Sequence, residues 1–150
     1  MAGPKPDSFA ALLGIEVARH GAGHTVATLH TDDRHANPHG TVHGAVFYAV
    51  AGAAVAAAAN DDEHSGIISS VLVEYLQPAA IGDELSAEVT REASTDREDI
   101  FTGTVRRGSQ GALLAWVRAM ASMTYIPQIR PQAAEALGVS ENHAQTGLRF

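Results

Sequence analysis

Apolar and polar positions alternate in short runs on either side of one stretch that is apolar on all sides. From Asn37 to Asn60 the sequence NPHGTVHGAVFYAVAGAAVAAAAN joins a turn rich in His and Gly to a helix with no charged residue between His43 and Asn60. Such a helix has no polar face to turn to water, so its sequence predicts a covering on every side. A curved sheet is the expected covering. Ahead of it, residues 7–13 predict a short helix capped by Asp7 or Ser8, with Phe9, Leu12 and Leu13 as its apolar side and Gly14 as its stop. Residues 15–19 and 25–30 predict two strands joined through Gly21 and Gly23.

Beyond Asn60 four more strands are expected, over 67–76, 84–90, 99–105 and 112–126, separated by Pro78 and Gly82, by REASTDRED and by RRGSQG. Residues 84–90 show the clearest period of two, with Leu85, Ala87 and Val89 on one face and Glu84, Ser86 and Glu88 on the other. The last run would reach roughly 50 Å if straight, so it is expected to bend around the helix. After Pro127 the sequence turns polar, with a helical turn or two over 132–137 and a tail that is loose or packs on a partner subunit. One domain over 1–126 and a C-terminal tail over 127–150 is the expected organisation.

Composition narrows the function. The 150 residues carry a formal charge of −7, which argues against a nucleic-acid or anionic-membrane surface. The absence of cysteine removes disulfides, thiolate zinc sites and a cysteine nucleophile. The N-terminus MAGPKPDSFAALLG lacks the apolar core of a signal peptide, which makes the cytoplasm the expected compartment. The alanine-rich helix falls short of the roughly 20 strongly apolar residues that a membrane span requires.

The turn before the helix offers chemistry. Gly40, His43 and Gly44 let a ligand approach the backbone where unpaired helix N–H groups point outward, a place that favours developing negative charge. It could bind a carbonyl that becomes an oxyanion during acyl transfer. The alternative is that the glycines shape a tight turn and His43 caps the helix. His35, His39 and His43 are spaced by four, but Pro38 and Gly40 interrupt any helix there and no carboxylate joins them, so no metal site is expected. No phosphate-binding loop, nucleophile elbow or dinucleotide fingerprint is present.

The order helix, two strands, long buried helix, four antiparallel strands resembles the α+β hotdog fold, a curved antiparallel sheet wrapped around one central helix. Asn37, Gly40, His43 and Gly44, then the small-residue helix, then Tyr75-Leu76-Gln77-Pro78-Ala79 with Gly82, resemble the acyl-CoA thioesterases of the phenylacetate-degradation (PaaI-like) type over residues 8–126. The resemblance implies a homo-oligomer, a dimer or dimer of dimers, with an active site shared between protomers. It also implies that the Gly44 N–H polarises the thioester carbonyl, that Asn37 and His43 orient substrate or water, and that no cofactor is needed beyond the coenzyme A of an acyl-CoA or acyl-carrier-protein substrate.

One position departs from the family. Its carboxylate, the nucleophile or general base, stands nine residues after the motif histidine, where this chain has Gly52. Glycine can neither take a proton nor attack a carbonyl. It also costs about 1 kcal/mol relative to alanine in a helix, so helix stability does not explain it. It either permits close contact across a dimer seam or makes room for a bulkier acyl group. Among substitutes, Glu74 is expected to face solvent with Ile68, Ser70, Leu72 and Leu76, and 61–63 to form a solvated acidic run. His43 is the best remaining base, and Ser69 holds a strand position where relatives often carry a hydroxyl. For the coenzyme's phosphates the available cations are Arg91, Arg97, Arg106 and Arg107. The readings that follow are a slow thioester hydrolase without an acidic residue, a non-hydrolytic acyl-CoA binding module, and, weakened by the same Gly52, a dehydratase of the same fold.

Overall fold

The computed structural model describes residues 6–61 and 65–123. Helix α1 (Ser8–Leu13) starts where the Asp7 carboxylate accepts the Phe9 and Ala10 N–H groups at 3.1 and 2.9 Å, and stops at Gly14 with φ 83°. Strands β1 (Glu16–Arg19) and β2 (His24–His30) form a hairpin, and helix α2 (Gly44–Ala59) follows. The chain then runs through β3 (Gly66–Tyr75), β4 (Glu84–Ser94), β5 (Glu98–Arg107) and β6 (Leu113–Met123). The six strands form one antiparallel sheet in the order β1-β2-β4-β5-β6-β3. This is the hotdog arrangement.

Helix α2 lies against that sheet through Val46, Phe47, Val50, Ala51, Ala54, Val55, Ala58 and Ala59, two adjacent residues per turn on one stripe. The sheet meets it with Leu29, Leu85, Val89, Phe101, Val105 and Val117, interleaved with Ala27, Ala87, Ala115 and Ala121, all buried. Alanines on both surfaces let backbone and sheet approach closely. The expected covering on every side is not what one chain provides. Tyr48 is 47% exposed, and Ala49, Gly52, Ala53, Ala56 and Ala57 are half-buried. A single six-stranded sheet encloses one side of a rod, and the second apolar side stays open.

Register shifts bend the sheet. An extra residue stands in β3 between Ile68 and Ser70, in β4 between Arg91 and Ala93, and in β6 at Leu114, opposite the step from Val105 to Arg106. The first shift reverses the alternation of β3. Ile68 packs on the core with Val71 and Val73, whereas Ser70, Leu72 and Glu74 face outward. Glu74 is exposed as expected, but Ile68 is not on its face, because the unpaired residue 69 inverts the side-chain order. The expected strand end over 124–126 and the helical turns over 132–137 lie outside the described residues.

Candidate active site at the start of the central helix

The loop entering α2 is built from side-chain to backbone hydrogen bonds. A 3-10 turn (Asp33–His35) is capped by Asp32, whose carboxylate accepts the Arg34 N–H at 2.9 Å. Hydrogen bonds from the Arg34 side chain and then from its N–H hold the Asp32 carboxyl down at about 2, and the same pairing raises Arg34. His35 is buried. Its Nδ1 accepts the Asp32 N–H at 2.9 Å and its Nε2 donates to the Leu13 carbonyl at 3.1 Å, which ties the loop to α1.

Asn37 then closes the loop on itself. Its Oδ1 accepts the His39 and Thr41 N–H groups at 2.9 and 3.1 Å, and its Nδ2 donates to Thr41 Oγ1 at 2.8 Å. Gly40 makes the reversal with φ 79°, a conformation open to glycine at little cost. The Val42 N–H donates to Ala79 and the His43 N–H to His35, at 2.9 and 2.8 Å. The helix start is thus fixed from two sides.

The first-turn amides have unequal partners. The Ala45 N–H donates to His43 Nδ1 at 3.0 Å, and the Val46 N–H to the His43 carbonyl at 2.9 Å. The Gly44 N–H takes part in no hydrogen bond among the described residues. With Nδ1 accepting, the neutral His43 ring carries its proton on Nε2. That cap works against the expected role of His43 as a base and leaves it a donor.

A cavity of about 320 Å³ opens at this point, lined by Gly44 with Asn37, Thr41 and Val42 on one side and Phe47 and the 75–78 segment on the other. The far wall is set by the Leu114 bulge, whose carbonyl accepts the N–H groups of both Leu76 and Gln77 at 2.9 and 3.2 Å. Tyr75 reaches across from the end of β3. Its hydroxyl donates to the Gly44 carbonyl at 2.8 Å and its ring meets Phe47 edge-on at 5.7 Å. An unpaired backbone donor on a residue lining a mostly apolar concavity can hold one carbonyl oxygen of an otherwise apolar ligand.

No protein-family model matches the chain. It is 30% identical over 81 residues to the acyl-coenzyme A thioesterase PaaI of Escherichia coli, covering 54% of this chain and 58% of that protein. The solved structure of that protein shares the fold with a TM-score of 0.74, at 23% identity over 79% of this chain and 86% of the other. A mutant of the phenylacetic acid degradation protein PaaI from Thermus thermophilus superposes with a TM-score of 0.73 at 26% identity, over 79% of this chain and all of that one (100%). The chain has the hotdog fold and is similar to PaaI-like thioesterases. A putative esterase of Deinococcus radiodurans is 28% identical over 112 residues, 75% of this chain and 76% of its own length. The chain therefore spans little more than half of the E. coli relative.

Against this PaaI-like frame, the structure brings Gly44 and Asn37 together on the cavity and places the other expected residues elsewhere. Gly40 shapes the loop behind it, and His43 is exposed at its edge. Gly52 lies on the open side of α2, where an added Cβ would meet nothing within 4 Å. Ser69 sits at the β3 bulge and donates to the Met120 carbonyl at 3.2 Å. Arg107 pairs with Asp83 at 2.8 Å, and Arg106 donates to the Gly111 carbonyl at 3.2 Å. His35, His39 and His43 do not converge, and no group of three metal-ligating side chains forms among the described residues.

Arg91, expected among the phosphate-binding cations, is instead mostly buried. Its Nη2 donates to the Ala58 carbonyl at the end of α2 at 3.1 Å, and its Nε contacts the buried Asp99 carboxylate at 2.8 Å as an ion pair rather than a directed hydrogen bond. Tyr75 and Gln77 are the site residues that sequence reasoning missed. Gln77 donates through Nε2 to the Leu113 carbonyl at 3.0 Å, which leaves its Oε1 as an acceptor on the cavity wall. The YLQPA segment was part of the family pattern, so the signal was present, but nothing local marks these two side chains.

Proposed function

We propose that this protein hydrolyses an acyl thioester of coenzyme A, or of an acyl carrier protein, to a free acid and a thiol. The observation that carries the reading is the N–H of Gly44, which has no acceptor among the described residues, on a residue lining a mostly apolar cavity. The name of the E. coli relative supports the same substrate class. In this reaction the thioester oxygen accepts from Gly44 while a water oxygen forms a bond to the carbonyl carbon and the π electrons move onto the held oxygen. Collapse breaks the carbon–sulfur bond, and the departing thiolate takes the proton that water gives up. Asn37 keeps one Nδ2–H as a donor on the cavity wall, and the exposed His43 keeps its Nε2–H at the cavity's edge.

No carboxylate assists the attack at position 52. A positioned general base is worth 10²- to 10⁴-fold, so turnover is expected to be modest. Residue 52 lies eight residues beyond Gly44, about 12 Å along the helix at 1.5 Å per residue. It therefore faces a thioester at Gly44 only from the helix of a second copy running antiparallel, and the proposal includes a homodimer as the smallest active unit. Its apolar helix side, open in one chain, would be covered in that dimer. Arg106, without an acid partner among the described residues, is the cation best placed to meet a coenzyme phosphate.

The test is Gly44→Pro. Proline lacks the N–H, is favoured at the first helical position, and follows readily from His43, whose φ −63° and ψ 137° suit a residue before proline. Thiol release over a panel of acyl-CoA substrates should fall about 10²- to 10³-fold with the fold retained. An unchanged rate excludes Gly44 as the oxygen's donor. A second reading is favoured by Gly52, which leaves the site without a base: an acyl-CoA binding module. Calorimetric binding of acyl-CoA by the wild-type protein with no thiol release would select it.

A further inference from the structure

Tyr75 contacts the helix start beside the backbone N–H that is read as the main donor to the thioester oxygen. A single amide stabilises an oxyanion only if its direction is fixed before charge develops, since reorienting it during reaction costs the energy it is meant to supply. The first turn of a helix is where backbone direction is least constrained, because its N–H groups lack intrahelical partners. Here the Tyr75 hydroxyl donates to the Gly44 carbonyl at 2.8 Å from the opposite wall of the cavity. The ring is held edge-on against Phe47 at 5.7 Å, and the paired N–H groups of Leu76 and Gln77 anchor the segment on Leu114. A Cβ on Gly44 would meet the Tyr75 ring and hydroxyl at 3.4 Å, an ordinary van der Waals contact, so the two residues are near neighbours.

From this contact we propose that Tyr75 is a positioning residue, which fixes the Gly44 peptide so that the adjacent N–H points into the cavity. The inference rests on the reading of Gly44 as the oxyanion donor. Tyr75 is 54% exposed, so its hydroxyl is not needed to fill the core, and a purely structural role would leave the chemistry untouched by its loss.

Tyr75→Phe keeps the ring and removes the hydroxyl. Under the proposal kcat for thiol release falls about 3- to 10-fold, the size of one neutral hydrogen bond, while KM stays within about twofold and the melting temperature is little changed. A matching fall in stability with kcat intact, or no change in either, overturns it. A second measurement does not depend on turnover: the Gly44 amide proton is followed by NMR while the protein is saturated with a ketone analogue of acetyl-CoA in which methylene replaces sulfur. The wild-type amide should move downfield on saturation and the Tyr75→Phe amide by less than half as much. Equal shifts in the two proteins overturn the role of Tyr75 alone. No shift in the wild type overturns the Gly44 reading and this inference with it.

Discussion

The two ends of the central helix are treated in opposite ways. At its C-terminal end several carbonyls have side-chain donors: Arg91 Nη2 holds Ala58 at 3.1 Å, Asn60 Nδ2 holds Ala56 at 2.9 Å and, in β3, Gly66 at 3.0 Å, and Arg19 Nη1 holds Asn60 at 2.6 Å. Two guanidinium groups sit where the helix dipole is negative, and the Arg91 group stacks over Phe101 at 5.6 Å. At the N-terminal end the Gly44 N–H is left open above a cavity. The closed end secures the fold, and the open end retains the binding capacity that closing it would use up.

Breaking the closed end should have the largest effect. Arg91→Met strips the charged partner from Asp99, which is fully buried, and leaves its carboxylate with the Ser94 hydroxyl alone. Loss of one member of a buried pair costs about 3 to 5 kcal/mol, so the urea midpoint should fall steeply. A change of a few tenths would mean that Asp99 is neutralised or finds another donor. Sharpening the open end is the object of Gly52→Asp, for which the space around an added Cβ is clear. Thiol release should rise about tenfold or more as a base returns, with stability little altered. No rise would place residue 52 away from the thioester.

The smallest effect belongs to the loop that leads into the open end. Asp32 is held at about 2, below the ordinary 3.8. A lowered carboxyl stabilises the folded state above its unfolded value and ceases to do so as pH falls through the folded one. Wild type should therefore exceed Asp32→Asn in chemical stability above about pH 4, and the two should converge near pH 2. Parallel curves across that range would assign the loop's order to His35 instead.

The pattern of the sequence predicted this fold to within a few residues because its strands alternate and its helix does not. It failed where one residue is inserted. Strand β4 runs on to Ser94 rather than stopping at Thr90, since the shift at Glu92 breaks the alternation while pairing with β5 continues. The bulge at Ser69 inverted the expected face of Ile68 for the same reason. Gly44 was legible from the turn chemistry around it. Tyr75 was not, because its contact with Gly44 joins residues 31 apart in the chain. Arg91 read as one surface cation among several, and only burial separates it from Arg106 and Arg107.

The cap made by His43 has a consequence for what the cavity mouth admits. Because its Nδ1 is occupied by Ala45, a neutral His43 offers a proton donor, and both it and the Gly44 N–H act as dipoles rather than ions. Attraction of that kind is hardly weakened by dissolved salt, whereas the distant arginines act through a field that salt attenuates. Capture of the reacting group and recruitment of the charged tail of a ligand are thus separable by ionic strength alone.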